Sequence, residues 1–412
     1  MSDAFLDDLL VIDCASFIAG PAAATILGDF GARVVKVEPP TGDTLRLVRH
    51  SPGMPQSEHD YYWQLDDRNK ESLSLDLKQP DAYAVLNRLL EKADVFITNF
   101  PQPIRERLQI RADDLTPRYE RLIYASLTPY GDEGPERDRT GYDATAWWAR
   151  SGMMDSVTGD RTLEPRVALP GMGDHPTSVA LFGAIMLGLY RRSITGKGGA
   201  VSTSLLQNGL WSAGSFLQAT LCDAKFTPRP PRGQRSNALT EMYRTRDDRW
   251  FMLASLNQIR EWPLLLGCFG HPTWGEDPRF ASPQARAENA AALFEHLEAE
   301  FLREDWAVWK ERLEAAGLTA GIVSQLADHA EDPQIAANEF LPEIEAMGGL
   351  RTVDSPVRMA GVQKQRPRRA PEIGEHTRAV LAEFGYSPAE VEALLASGAA
   401  FAGSEPVALA GE

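Results

Sequence analysis

Leu9-Leu10-Val11-Ile12-Asp13, then Ala19-Gly20-Pro21, a helical stretch over residues 22–30 closed by Gly31, and Arg33-Val34-Val35-Lys36-Val37-Glu38 decide the fold. The first run is short and apolar, as a strand buried on both faces must be, and the last ends against Pro39-Pro40. Strand, glycine turn, helix and strand make a βαβ unit, which implies a parallel sheet with a right-handed crossover. The alternation continues outward. Residues 73–77 predict a strand, 81–93 a helix, 94–100 a strand and 122–127 another. Such repetition predicts an α/β chain with an open, doubly wound, Rossmann-like sheet.

Further along, residues 176–190 carry the clearest apolar helical period, with Gly173-Asp174-His175 ahead of them. Thr195-Gly196-Lys197-Gly198-Gly199 reads as a turn into a strand at 200–204 and a helix over 205–221. The character then changes. Residues 226–235 are rich in Pro and Arg and predict a linker. A smaller α+β segment follows, with a strand at 250–254 and helices near 285–300 and 306–316. A second Pro- and Arg-rich coil spans 356–371, and a helical pair at 377–384 and 388–396 precedes a small-residue tail expected to fray. The expected division is a discontinuous large domain, residues 1–222 with 330–412, and a small domain, residues 223–329.

A chain of 412 residues with 43% hydrophobic content has enough material for two cores. Its formal net charge of -16 argues against nucleic acid as a partner, so any anionic ligand needs locally placed Arg, Lys and backbone N–H groups. No apolar run is long enough to span a bilayer, and residues 1–8 lack the basic segment of a signal peptide. Three scattered cysteines (Cys14, Cys222, Cys268) read as reduced, buried thiols, and the expected compartment is the cytoplasm. Seven histidines without ligand spacing make a metal site unexpected.

The motifs of other chemistries fail on inspection. Ala19-Gly20-Pro21 lacks the GxGxxG of dinucleotide binding, and Pro21 removes an N–H that phosphate needs. Thr195-Gly196-Lys197-Gly198 is not a P-loop, no GxSxG elbow surrounds Ser204, and Cys14 has no basic partner in sequence. Arg105-Glu106-Arg107 and Lys78 are ambiguous, readable as solvated surface or as phosphate-facing cations. Asp174 stands at a helix start, where unpaired N–H groups and the dipole favour an ionised carboxylate. From position alone it reads as a helix cap.

Taken in order, these segments resemble the class III coenzyme A transferases, the family of formyl-CoA transferase, carnitine CoA-transferase and the 2-methylacyl-CoA racemases. The resemblance spans roughly residues 9–397. It is carried by Ala19-Gly20-Pro21, the run Gly31 to Pro39, Gly42-Asp43 with Arg46, Asn69-Lys70, Asp76-Leu77-Lys78, Asn99-Phe100, Gly131 with Gly134-Pro135, Gly173-Asp174, Arg191 with Thr195 to Gly198, and Ile373 to Thr377. It implies a Rossmann-like large domain with a smaller α+β domain, and a ring-like homodimer of interlocked chains. Asp174 matches the family's catalytic aspartate, and Asp143 an acidic residue near the site. Leu75, Lys78, Asn99, Phe100 and Arg107 match positions that hold the CoA nucleotide. Ile18 stands where formyl-CoA transferase has a glutamine, and Pro39-Pro40 where it has an arginine. In the racemases' Gly-His-Asp segment this chain has Gly141-Tyr142-Asp143, and a tyrosine is a poor base near neutral pH.

The expected activity is transfer of CoA from an acyl-CoA thioester to a small carboxylic acid through acyl and CoA adducts of Asp174. CoA and acyl-CoA enter as substrates, with no cofactor permanently bound. Arg229, Arg232, Arg235, Arg244 and Arg260 suggest a dicarboxylate such as succinate among the acids. A 2-methylacyl-CoA racemase or isomerase, and a CoA-binding protein without catalysis, are the alternatives.

Overall fold

The computed structural model describes residues 5–158, 162–226 and 230–403. The chain divides into two compact units, Met1–Ala224 with Asn338–Glu412, and Lys225–Ala337. In the first, β1 (Leu10–Asp13), β2 (Arg33–Glu38), β3 (Lys70–Leu75), β4 (Val95–Thr98), β5 (Ile123–Thr128) and β6 (Gly199–Ser204) join the C-terminal strand Ala400–Phe401. The order across the sheet is Ala400–Phe401, β3, β2, β1, β4, β5, β6. Every pairing is parallel except that of the C-terminal strand with β3. Chain order reverses between β1 and β4, and the carboxyl ends there open the crevice in which such sheets bind ligands.

Period-2 alternation splits the strands between two apolar layers. Val11, Val34, Ile97, Ile123 and Ala125 face one core, shared with Leu181 and Ile185. Ile12, Val35, Phe96 and Tyr124 face the other, shared with Val85, Leu86 and Leu89. Both faces are covered, which is why β1, β2 and β4 read as continuous apolar runs rather than alternating ones.

Helix α1 (Ala19–Asp29) starts three residues before the expected position. Gly20 and Pro21 lie inside its first turn, where the missing proline N–H has no intrahelical partner to lose. Gly20 also permits a close approach, since a Cβ there would stand 2.6 Å from that of Ala15. The other helices that frame the site are α2 (Tyr61–Asp66), α3 (Pro80–Leu90), α4 (Gln102–Arg107) and α5 (Asp174–Thr195). The helix expected over 205–221 is two, Leu205–Ser212 and Gly214–Leu221, broken at Ala213. No helix among the described residues is long and apolar enough to cross a membrane.

The second unit holds β7 (Thr240–Arg244), β8 (Trp250–Ala254) and β9 (Ala320–Ile322) in one antiparallel sheet of that order. Tyr243, Phe251, Phe301 and Trp309 fill its core. Only β8 was legible beforehand, because β9 has three residues and β7 mixes polar and apolar side chains. The expectation of uniformly buried thiols is corrected. Cys14 is buried, and burial first, then Asp13, pushes its thiol up to about 12, whereas Cys222 is exposed and Cys268 intermediate.

A buried ionic cluster lies at the carboxyl end of β1 and the amino end of β3. The Lys70 ammonium meets Asp13 Oδ2 at 2.9 Å, Asp67 Oδ1 at 2.8 Å, and the carbonyls of Pro21 and Asp66 at 2.9 Å each. Lys36 meets Asp43 and the Ala15 carbonyl at 2.7 Å. Burial alone would neutralise both Asp13 and Lys36. The opposite charges win, so Asp13 is held below its ordinary value, chiefly by Lys36 and Lys70, and Lys36 above its own. Replacing Lys70 by Met leaves the buried Asp13 and Asp67 carboxylates only the Lys36 ammonium, 3.8 Å from each. We expect a loss of roughly 3–5 kcal/mol in urea unfolding, and an unchanged midpoint would refute this account of the cluster.

Candidate active site

Beyond β1 the chain crosses the crevice as residues 14–18. The Asn99 side chain, at the end of β4, clamps this segment by accepting from the Ser16 N–H (2.9 Å) and donating to the Ser16 carbonyl (2.7 Å). Phe17 takes a φ of +61°, a left-handed conformation that bulky residues adopt only when surroundings force it. Its N–H donates to Asp43 Oδ1 at 3.1 Å, so the ionic cluster holds the strained residue in place. The Phe17 ring meets Tyr142 edge to face, with centroids 5.4 Å apart.

Tyr142 leads into a seven-residue π-helix, Asp143–Ala149, a winding that is rare and concentrates at functional sites. Asp143 Oδ2 accepts from the Gly173 N–H at 3.2 Å, and Oδ1 from the Ala144 N–H at 2.7 Å. The wider winding places the Trp147 indole under Gly173. A Cβ on residue 173 would lie 2.6 Å from Trp147 Cγ, so only glycine allows this contact. The buried Trp147 Nε1 has no hydrogen-bond partner among the described residues.

Asp174 therefore enters α5 with both neighbours of its backbone fixed. It is the first helical residue and not the cap. Gly173 occupies the cap position with no side-chain cap bond, so the capping reading fails. The electrostatic expectation is also corrected. Burial first, and the Asp143 carboxylate second, push the Asp174 carboxyl up to about 7; Asp66 adds to this and His175 opposes it. Desolvation of a carboxylate outweighs the dipole of a helix start.

Two residues not anticipated from sequence stand beside it. His175 Nε2 lies 3.0 Å from Asp66 Oδ1, and Asp66, at the end of α2, is only 1% exposed. They are 109 positions apart in the chain, and no local pattern links them.

The structure gathers some expected binding positions and disperses others. Leu75 is buried at the end of β3, paired with Ala400, and Lys78 is exposed in the following turn. Asn99 and Phe100 sit at the crevice, and Arg107 is exposed at the end of α4. Asp143 and Asp174 come together through Gly173. Arg105 corrects the picture of a solvated cationic face. It is buried, donating to the Phe100 carbonyl and to the Leu127 carbonyl (3.0 Å), and so ties the loop after β4 to β5.

A profile described as CoA-transferase family III matches residues 6–377. The chain belongs to that family. It is 30% identical to (R)-2-hydroxy-4-methylpentanoate CoA-transferase of Clostridioides difficile, over 94% of this chain and 97% of the relative. It is 31% identical to acetyl-CoA:oxalate CoA-transferase of Acetobacter aceti (93% and 97%), and 29% identical to succinyl-CoA:glutarate CoA-transferase of Mus musculus (95% and 89%). A crystal structure of a CAIB/BAIF family protein from Brucella suis superposes with a TM-score of 0.81 at 28% identity, covering 92% of this chain and 99% of that one. This chain is thus an enzyme of the CoA-transferase class, and such enzymes take CoA thioesters as substrates.

For this CoA-transferase, a carboxyl raised to about 7 makes a signed statement about stability. Between the ordinary carboxylate value and 7 the unfolded chain has released a proton that the folded chain retains, so stability falls as pH rises through that window. Asp174→Asn removes the penalty. Its thermal midpoint should match that of the wild type near pH 4 and exceed it at pH 8, and a constant gap would contradict the assignment.

Proposed function

We propose that the enzyme moves CoA from an acyl-CoA to a carboxylic acid by covalent catalysis on Asp174. The carboxylate attacks the thioester carbonyl, the C–S bond breaks, and CoA thiolate leaves behind an acyl–aspartyl anhydride. The thiolate then attacks the aspartyl carbonyl, releasing the donor acid and forming an aspartyl-CoA thioester. The acceptor carboxylate attacks that thioester, expelling thiolate and forming a second anhydride. Thiolate attack on the acceptor carbonyl releases the product and restores Asp174. No proton or electron is gained or lost over the cycle, and the hard displacement is split into easier ones.

The observation that carries this reading is the half-buried Asp174 carboxyl at a helix start whose preceding N–H is held by Asp143. In the first turn of α5 the His175 and Thr177 N–H groups already donate to the Gly171 and Gly173 carbonyls and Pro176 has none, which leaves the Asp174 N–H to stabilise a tetrahedral oxyanion. Asp143 is assigned to orienting the Gly173 segment. Leu75, Lys78, Asn99, Phe100 and Arg107 are assigned to the CoA nucleotide, at the carboxyl ends of β3 and β4 and on α4.

The segments that lead to Asp174 carry an apolar margin: the Phe17 ring packs on Tyr142, whose neighbour Asp143 holds the Gly173 N–H, and Ile18 Cδ1 is 3.5 Å from where a Gly171 Cβ would stand. Among the arginines expected to hold a second carboxylate, Arg232 pairs with Glu298, Arg235 with Glu241, Arg244 with Asp248 and Arg260 with Glu261. Arg229 lies outside the described residues. The margin supports a branched or aromatic monocarboxylate over a dicarboxylate.

Asp174→Ala should lower exchange of CoA between two free acids by at least about 10³-fold while acyl-CoA still binds. Hydroxylamine or borohydride added during turnover should mark Asp174 in the wild type, and persistent absence of label would exclude the covalent route. The same assay, run over a panel of acids and read by mass spectrometry, ranks apolar monocarboxylates against dicarboxylates. Exchange of the Cα proton without an acceptor acid would instead indicate a racemase.

A homodimer is part of this proposal. Leu187, Tyr190 and Ile194 on α5, with Trp211, Phe216 and Leu221 just after β6, leave large apolar side chains exposed. Light scattering should give twice the 45.4 kDa chain mass. If the rings interlock, two tagged versions mixed after folding should form no mixed dimers, and free exchange would exclude interlocking.

A further inference from the structure

The mechanism above leaves one pair unused, the buried Asp66 and the half-exposed His175. His175 follows Asp174 on the first turn of α5, and its ring is held from two sides. Nε2 lies 3.0 Å from Asp66 Oδ1, and the other edge abuts Gly171. A Cβ on Gly171, whose φ is +83°, would lie 3.2 Å from His175 Cε1 and 3.4 Å from Nδ1, so the turn is shaped to the imidazole. A carboxylate against Nε2 stabilises the ring that carries both protons.

We propose that His175 is a positioning residue, fixed between Asp66 and the Gly171 backbone so that a positive charge stands beside the Asp174 carboxylate during acyl transfer. The inference rests on Asp174 as nucleophile. It supplies what the route lacks, a cation within the site. The charged and titratable groups facing the pair are few. Asp143 comes from the π-helix, Asp66 and Tyr62 from α2, and Asp174 from α5 itself. All of these except His175 are anionic or neutral. Asp66 Oδ2 is buried with no hydrogen-bond partner among the described residues, so its other oxygen, toward His175, takes the side chain's one specific bond. Burial works against the charged imidazole, and the Asp66 hydrogen bond and charge more than offset it, raising the ring above its ordinary value. The same cation draws the Asp174 carboxyl downward against burial and Asp143.

The test is the pH dependence of kcat/KM for acyl-CoA. His175→Gln keeps a polar side chain and removes the charge. Its acid limb should move up by about one pH unit, with turnover about tenfold lower near pH 6.5, recovery toward wild type by pH 9, and an unchanged KM for acyl-CoA. Asp66→Asn should move the limb in the same direction, and it supplies the test if His175→Gln fails to fold. A uniform loss at every pH, or an unmoved limb in either folded variant, overturns the proposal. Nitrogen-15 spectra of histidine-labelled enzyme give a second readout. The ring signal missing in His175→Gln or displaced in Asp66→Asn should show both nitrogens still protonated just above the ordinary histidine value, and a neutral tautomer there would refute it. Trapping at Asp174 runs in parallel. An adduct with an unmoved acid limb sinks the role of His175 alone, whereas no adduct in the wild type sinks the nucleophile and this inference together.

Discussion

Two buried ammonium groups hold this active-site end in shape. Lys36 fixes the Ala15 carbonyl and Lys70 the carbonyls of Pro21 and Asp66, so the segment after β1, the first turn of α1 and the end of α2 share one ionic anchor. Three positions of the candidate site depend on it. Asp43, paired with Lys36, receives the N–H of strained Phe17; residues 14–18 are set against Asn99; and Asp66 is presented toward His175. Buried ion pairs are poor stabilisers compared with well-packed apolar groups, because desolvation consumes most of the Coulomb attraction. Their retention here is explained by geometry. An apolar core has no means of gripping three carbonyls from separate segments.

The cluster is also not electrically closed. Asp13, Asp43 and Asp67 face only Lys36 and Lys70. Burial first, with Asp13 and Asp43 adding and the two lysines opposing, pushes the Asp67 carboxyl up to about 7, and its Oδ2 has no hydrogen-bond partner among the described residues. Protonating that one carboxyl would balance the charge. Next along the chain is Asp66, whose carboxylate faces the site side, so interior and site meet across one peptide bond.

How much could be read from sequence follows the range of the interactions. The strands β1, β2 and β4 were legible because burial on both faces leaves continuous apolar runs, and β8 because its aromatic and aliphatic residues are consecutive. The strand Ala400–Phe401 was not, since two residues form a strand only by pairing with β3, more than 300 positions away. The same limit applies at the site. Asp174 stood out through local punctuation, but its raised pKa comes from burial and from Asp143, which no local rule contains. Arg105 looked like surface because charge runs generally are, and it is buried because two carbonyls await it. Trp147 beneath Gly173 could have been suspected from neither residue alone.

The proposed covalent route makes opposing demands on one carboxyl, and the surroundings of Asp174 meet both. Dehydration raises its basicity, and a more basic carboxylate is a stronger nucleophile toward a thioester. Dehydration also favours the protonated, unreactive acid, and the nearby Asp143 pushes the same way. A group raised to about 7 is divided about equally between the two forms at neutral pH, which costs only about a factor of two in active enzyme while keeping the gain in nucleophilicity. A carboxyl raised further would be protonated too often, and one at its ordinary value would have lost its advantage over free carboxylates in solution. Burial and Asp143 push upward, and His175, on the same helical turn, opposes them.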